Sequence, residues 1–291
     1  MNIMNKKEVQ IIFNQLNFNP KKRLGQNFLI DSNLSRQIIT EANLNKNDIV
    51  LEVGTGLGFL TSELISYVKK VYSYEIDSIL FQYTAKKLSH LKNLELINSD
   101  ILKSELPYHN KVVSNIPYSI SGPIIEKIFY NEHPPEGILI IEKNIADRIF
   151  ISGNYKNLSR ISITFNAFME PLKKINISSH SFYPRPKIDL ALIKVKPKVN
   201  LNSFLLEREN REFFLRFVAG IMPYKNKDLS NALVLFFRNI KFEKLSKLEI
   251  SRFLKELNVP NNKLFQFNVD DLINLCAKIS DRFYRQTNHT Y

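Results

Sequence analysis

The chain has 291 residues, 44% of them apolar and 24% charged, and 41 Lys and Arg against 28 Asp and Glu give a net charge of +13. That length suits one large domain with a smaller appendage, and the apolar fraction excludes a disordered chain. The positive excess points to a polyanionic partner whose phosphates lysine and arginine neutralise, while the single cysteine, Cys276, excludes an internal disulfide and a multi-cysteine metal site.

No apolar run approaches the roughly 20 residues of a membrane span and no long apolar segment opens the chain, so a soluble, cytoplasmic protein is expected. After a polar start, Lys21-Lys22-Arg23-Leu24-Gly25-Gln26-Asn27-Phe28-Leu29 joins a basic cluster to a loop-like Gly-Gln-Asn. SNLSRQIITEAN (32–43) carries a helical pattern, with Asp31 or Ser32 as its N-cap. From about residue 48, short apolar runs alternate with helical patterns. The runs predict strands over 49–53, 71–75, 94–98, 111–115 and 137–141, and GFLTSELISYV and SILFQYTAKKL predict helices between them. Helical patterns begin again at Ile145 and Ser159, and strands over 172–178 and 189–196 close the series. This alternation predicts an α/β domain with a mostly parallel sheet and helices on both faces. From about Asn200 the segments are helical, separated by polar or proline-containing breaks such as PYKNKD and NVPNNK. The expected division is therefore 1–198 for the α/β domain and 199–291 for a small all-helical domain. Cys276 falls in the apolar helical pattern DLINLCAKI and is read as a buried structural thiol. The histidines show no metal-ligand spacing, and no metal is expected.

The strongest local signal is LEVGTGLGFLTSEL, where Gly54, Gly56 and Gly58 separate a strand from a helix. Glycine there permits a tight turn and close approach of backbone to a ligand. Glu75 ends the next strand about 20 positions on, the separation at which a carboxylate accepts ribose hydroxyls. Asp100 ends the third strand and reaches the same crevice, where a carboxylate accepts a hydrogen bond from an adenine amino group. A dinucleotide needs G-x-G-x-x-G. Here Phe59 stands where that third glycine would be, and the spacing matches instead the E-x-G-x-G-x-G loop of S-adenosylmethionine-dependent methyltransferases, with Glu52 as its leading acid.

Asn115-Ile116-Pro117-Tyr118 follows the fourth strand, at the carboxyl edge of the sheet beside that crevice. An adenine N6 is a poor nucleophile because its lone pair is delocalised into the ring. The Asn115 side-chain carbonyl and the Ile116 main-chain carbonyl would accept its hydrogens and localise the lone pair. Pro117 fixes the backbone, and Tyr118 offers a π face for a base taken out of its helix.

LGQNFL (24–29), EVGTGLG (52–58), YEID (74–77), SD (99–100) and NIPYSIS (115–121) occur in order, followed by SFYPRPKIDLALIKVKP (181–197) and a basic helical tail. Together they resemble the KsgA-type ribosomal RNA adenine dimethyltransferases, which share their catalytic fold with the Erm methylases. The resemblance covers nearly the whole chain and implies a Rossmann-like methyltransferase domain. Its segment 20–31 would cover S-adenosylmethionine and bring Gln26, Asn27 and Leu29 to it. Gly54 would touch the methionine moiety with Gly56 in the same loop, Glu75 the ribose, Asp100 the adenine, and Asn115 both cofactor and target. It further implies N6,N6-dimethylation of two adjacent adenosines near the 3′ end of small-subunit rRNA during subunit assembly, by a monomer.

The chain departs from the family pattern at Glu142-Lys143-Asn144, where Gln-Lys-Glu is usual, at Leu158 to Ser162, and at Lys187 to Leu190. RNA contacts are expected from Lys21, Lys22, Arg23, Arg148, Arg160, Arg185 and Lys187 and from the basic helical domain. Two rivals stand beside this reading: an Erm-type large-subunit methylase, and an assembly factor that keeps the fold with dispensable catalysis.

Overall fold

The structure, a computed structural model, describes residues 5–151, 158–240 and 245–284. Its strands are β1 (Phe28–Leu29), β2 (Ile49–Val53), β3 (Lys70–Tyr74), β4 (Leu94–Ile97), β5 (Lys111–Asn115), β6 (Glu136–Glu142), β7 (Met169–Ile177), β8 (Phe182–Tyr183) and β9 (Leu190–Pro197). Its α-helices are α1 (Lys6–Gln15), α2 (Ser32–Ala42), α3 (Phe59–Leu64), α4 (Ser78–Lys87), α5 (Ser121–Phe129), α6 (Lys143–Ile149), α7 (Arg160–Phe168), α8 (Arg208–Ile221), α9 (Leu229–Asn239), α10 (Lys247–Glu256) and α11 (Val269–Ile279). No helix among the described residues is long and apolar enough to cross a membrane.

The chain separates into two compact units. The first takes in the chain up to Phe129 with Pro134–Asp147 and Glu170–Pro197. The second takes in Tyr130–His133, Arg148–Met169 and the chain from Lys198.

In the first unit, a seven-stranded sheet runs in the order β4-β3-β2-β5-β6-β9-β7. The pairs β3–β4, β2–β3, β2–β5 and β5–β6 are parallel, and β9 lies antiparallel to β6 from Gly137↔Val195 to Glu142↔Leu190. Parallel strands covered on both faces need continuous apolar runs. Accordingly Val112, Val113, Leu139, Ile140 and Ile141 are all fully buried. Each such side chain contributes about 1.5–3 kcal/mol from burial. Strand order reverses between β2 and β5, so the chain leaves their carboxyl ends in opposite directions and opens a crevice there.

The amino-terminal segment, expected only as a polar start, forms α1. Asn5 accepts from the amides of Lys7 and Glu8, and Glu8 closes a capping box. The helix buries Val9, Ile12 and Phe13. The Phe13 ring meets Phe18, Phe28 and Tyr183 at centroid distances of 5.3, 5.2 and 6.0 Å.

The second unit is helical, but it does not begin at residue 199: α7 and Tyr130–His133 belong to it as well. The reason is packing. Phe168 stacks on Tyr130 at 5.1 Å and meets Phe214 edge-on at 6.5 Å, so the apolar face of α7 is completed by α8. Lys225 adds a hydrogen bond from Nζ to the Leu158 carbonyl at 3.1 Å. Cys276 is fully buried in α11, and burial pushes its thiol pKa up.

Candidate active site

The crevice at the carboxyl ends of β2, β3 and β5 deepens into a cavity. It brings together Gln26, Asn27, Leu29, Gly54, Gly56, Glu75, Asp100 and Asn115, the residues nominated for the cofactor. Of the four nominated for chemistry, Asn115 and Pro117 line it, while the Ile116 side chain is buried in the core.

The glycine loop forms the floor. Gly54 and Gly56 have φ of 84° and 55°, in the left-handed region that favours glycine. A Cβ on Gly54 would lie 3.3 Å from Pro117 Cγ, so the loop and the Asn-Ile-Pro-Tyr segment approach as closely as glycine allows. From α4, Thr84 Oγ1 donates to the Gly56 carbonyl at 2.8 Å and Lys87 Nζ to the Leu57 carbonyl at 3.0 Å. Neither residue was identifiable from the sequence, because α4 meets the loop only through the fold.

Two carboxylates stand along one wall. Glu75 accepts the Gly56 amide at 2.8 Å and the Asp77 amide at 2.9 Å. Burial raises its pKa against the pull of those hydrogen bonds. Asp100 accepts the Leu102 amide at 3.0 Å and is half-buried. Glu52 lies deeper. Its Oε2 accepts from Thr61 Oγ1 at 2.7 Å and Ser73 Oγ at 2.6 Å, and burial pushes its pKa up to about 7.

The Gly-Gln-Asn-Phe-Leu segment lines the cavity as a strap. Its end, β1, pairs antiparallel with β8 in the register Phe28↔Tyr183 and Leu29↔Phe182. Ser181 Oγ adds a 2.7 Å hydrogen bond to Asp31 Oδ2. The Phe-Tyr-Pro-Arg-Pro-Lys stretch thus anchors the strap. Gly25, at φ 63°, sits so close to the Asn-Ile-Pro-Tyr segment that a Cβ would lie 2.9 Å from the Tyr118 amide nitrogen. Gln26 lines the cavity, yet its side-chain amide is engaged at both ends: Oε1 accepts the Lys21 amide at 2.7 Å, and Nε2 lies 3.4 Å from Asp77 Oδ2.

At the mouth, Asn115 Nδ2 donates to the Asn27 main-chain carbonyl at 3.1 Å. Its Oδ1 is buried and accepts from no group among the described residues. The Ile116 amide donates to the Ile140 carbonyl at 3.0 Å, which fixes that peptide on β6. Tyr118 is half-buried, its hydroxyl also without a partner among the described residues. Burial first, and the Glu142 carboxylate second, hold the phenol well above its ordinary pKa.

The seven basic residues expected to contact RNA fall on both units. Lys22, Arg23, Arg185 and Lys187 are exposed on the first unit, with Arg185 Nε donating to Ser179 Oγ at 2.7 Å. Arg148 and Arg160 are exposed on the second. Lys21 is engaged inward: its Nζ lies 2.6 Å from Asp77 Oδ2. Asp77, given no role from sequence, also caps α4 through the Ile79 amide.

The family model for ribosomal RNA adenine dimethylases matches residues 17–265. The chain belongs to this family. The ribosomal RNA small subunit methyltransferase A of Caldanaerobacter subterraneus subsp. tengcongensis is 35% identical over 242 residues, covering 79% of this chain and 89% of that one. A dimethyladenosine transferase from Plasmodium falciparum superposes with a TM-score of 0.74 and 25% identity, covering 87% of this chain and 98% of that chain. The 23S rRNA methyltransferase ErmE superposes at 0.61 with 24% identity over 87% of this chain and 100% of its own, a likeness of fold.

As a ribosomal RNA adenine dimethylase the chain is an S-adenosylmethionine-dependent RNA methyltransferase. The cavity suits that cofactor. Glycines keep the floor open, two acids supply acceptors for hydroxyl and amino groups, and Asn115, whose buried Oδ1 has no partner among the described residues, lines the same cavity.

Proposed function

We propose that the chain converts two adjacent adenosines near the 3′ end of small-subunit rRNA to N6,N6-dimethyladenosine during subunit assembly, acting in the cytoplasm as a monomer. The observation that carries this reading is the buried Oδ1 of Asn115, without a partner among the described residues, whose amide is already committed on its nitrogen side.

Glu75 and Asp100 hold the nucleoside part of the cofactor, and Gly54 and Gly56 let its methionine part lie against the backbone. Bound there, S-adenosylmethionine supplies an electrophilic methyl group. Asn115 Oδ1 and the Ile116 carbonyl accept the two N6 hydrogens of the target adenine. These bonds pull the nitrogen toward tetrahedral geometry and strengthen as positive charge develops on it, which is preorganised electrostatic stabilisation. The cationic nitrogen then sheds a proton to solvent without a strong general base. After the first transfer N6 keeps one hydrogen, so one of the two acceptors suffices for the second. The Tyr118 ring stacks on the extruded base, and Lys22, Arg23, Arg185 and Lys187 neutralise phosphates around the mouth.

Incubation with labelled S-adenosylmethionine and unmethylated ribosomal subunits tests the reading. Label recovered as dimethyladenosine in small-subunit rRNA is expected. Label in large-subunit RNA alone contradicts it in favour of an Erm-type activity. Binding to the small subunit without label leaves an assembly role only.

A further inference from the structure

The strap over the cavity is fixed at its carboxyl end by β1 and β8, so what holds its amino end decides whether it stays closed. There the Lys21 ammonium meets the Asp77 carboxylate at 2.6 Å. The two are unequal partners: the Lys21 side chain is 42% exposed and that of Asp77 only 1%. A carboxylate so withdrawn from water needs hydrogen-bonded compensation, whereas an RNA-binding lysine needs none of this. Burial by itself would raise the Asp77 pKa, and the hydrogen bonds from Lys21 and Gln26 overcome it and hold the carboxyl below its ordinary value.

The pair also reaches the groups that matter for transfer. The Asp77 amide holds Glu75 Oε1 at 2.9 Å, and Gln26 ties the Lys21 amide at 2.7 Å. One residue further along, the Asn27 carbonyl takes the Asn115 amide at 3.1 Å. We propose that Lys21 and Asp77 form a latch that closes the strap over the cofactor, making Lys21 a positioning residue for methyl transfer rather than an RNA contact. The proposal rests on the S-adenosylmethionine site described above. Opening the latch frees the strap at one end, loosens the wall around Glu75, and releases the carbonyl that turns Asn115 toward the target.

The test uses full-length protein with Lys21→Met and Lys21→Arg. Cofactor affinity is measured by calorimetry without RNA, and small-subunit affinity over a salt series. Lys21→Met should weaken S-adenosylmethionine binding about tenfold and lower kcat, with small-subunit affinity and its salt slope as in wild type. Lys21→Arg should return cofactor affinity to near wild type. Unchanged cofactor affinity in Lys21→Met overturns the latch, as does loss that arginine fails to restore. A weaker subunit affinity with a salt slope smaller by about one makes Lys21 an RNA contact after all. Should Lys21→Met not fold, Lys21→Gln carries the same comparison. Wild-type protein that binds no S-adenosylmethionine would sink the cofactor site itself, a result separate from failure of the latch.

Discussion

The main-chain carbonyl of Asn27 lies 3.1 Å from Asn115 Nδ2, and this hydrogen bond decides which way the Asn115 amide faces. With its nitrogen held by the strap, Asn115 keeps its buried Oδ1 as an acceptor without a partner among the described residues, the role the proposed mechanism gives it. In the proposed account, closure of the strap and orientation of the Asn115 side chain are therefore one event. Two segments separated by 88 positions in sequence meet in this one contact.

Gly25 is where the strap touches the Asn-Ile-Pro-Tyr backbone. At φ 63°, with a Cβ predicted 2.9 Å from the Tyr118 nitrogen, alanine there strains the backbone and collides with atoms that have no room to yield. Gly25→Ala should cost about 1–2 kcal/mol of stability and weaken S-adenosylmethionine binding by roughly tenfold or more. Calorimetric melting with and without cofactor reads both, and an unchanged cofactor-induced stabilisation would refute the contact's role.

Glu52 gives a pH dependence of definite sign. Its folded pKa of about 7 stands above the ordinary 4.5, so the folded chain binds the extra proton between those values. The stability it contributes is fully present below 4.5 and is lost as pH rises through about 7. Unfolding free energies from urea titrations should therefore fall across this window by on the order of a few kcal/mol, and Glu52→Gln should flatten the fall. Asp77, held below its ordinary value, acts with the opposite sign but only at lower pH. Parallel curves for wild type and Glu52→Gln would contradict the assignment.

Lys111 separates stability from activity. It lies at the amino end of β5, on the sheet edge away from the cavity, and is 8% exposed. Its Nζ donates to the Ala42 and Asn43 carbonyls at 3.0 and 3.2 Å and to Glu136 at 3.0 Å. Lys111→Met leaves those carbonyls unpaired and should cost about 1–3 kcal/mol. Cofactor affinity of the folded protein should stay within twofold of wild type, about 0.4 kcal/mol. A larger change would mean the two sheet edges are coupled.

Much of this was legible in the sequence, and the reason is local. β2 (IVLEV) and β5 (KVVSN) are short, almost wholly buried strands with apolar residues at their centres, and each leads directly into its motif, glycine loop or Asn-Ile-Pro-Tyr. Glu75 and Asp100 were readable because strands of one sheet end on one edge. What could not be read depends on pairing across the fold. The Asn5–Glu8 capping box of α1 was present, but its partners for Phe13 lie in the strap and at Tyr183. α7 joins the helical unit through Phe168 and Phe214, a contact with no local signature. Lys21 looked like its neighbours Lys22 and Arg23, and only the position of Asp77 sets it apart.

The central claim, that Asn115 Oδ1 draws out the N6 lone pair, is tested most directly by single-turnover methyl transfer with Asn115→Ala. Cofactor and unmethylated small subunits are held at saturation. The rate should fall by about 10²–10³, while S-adenosylmethionine affinity measured without RNA stays within a few-fold of wild type. A rate within tenfold of wild type at saturation, about 1.4 kcal/mol or less, would contradict it.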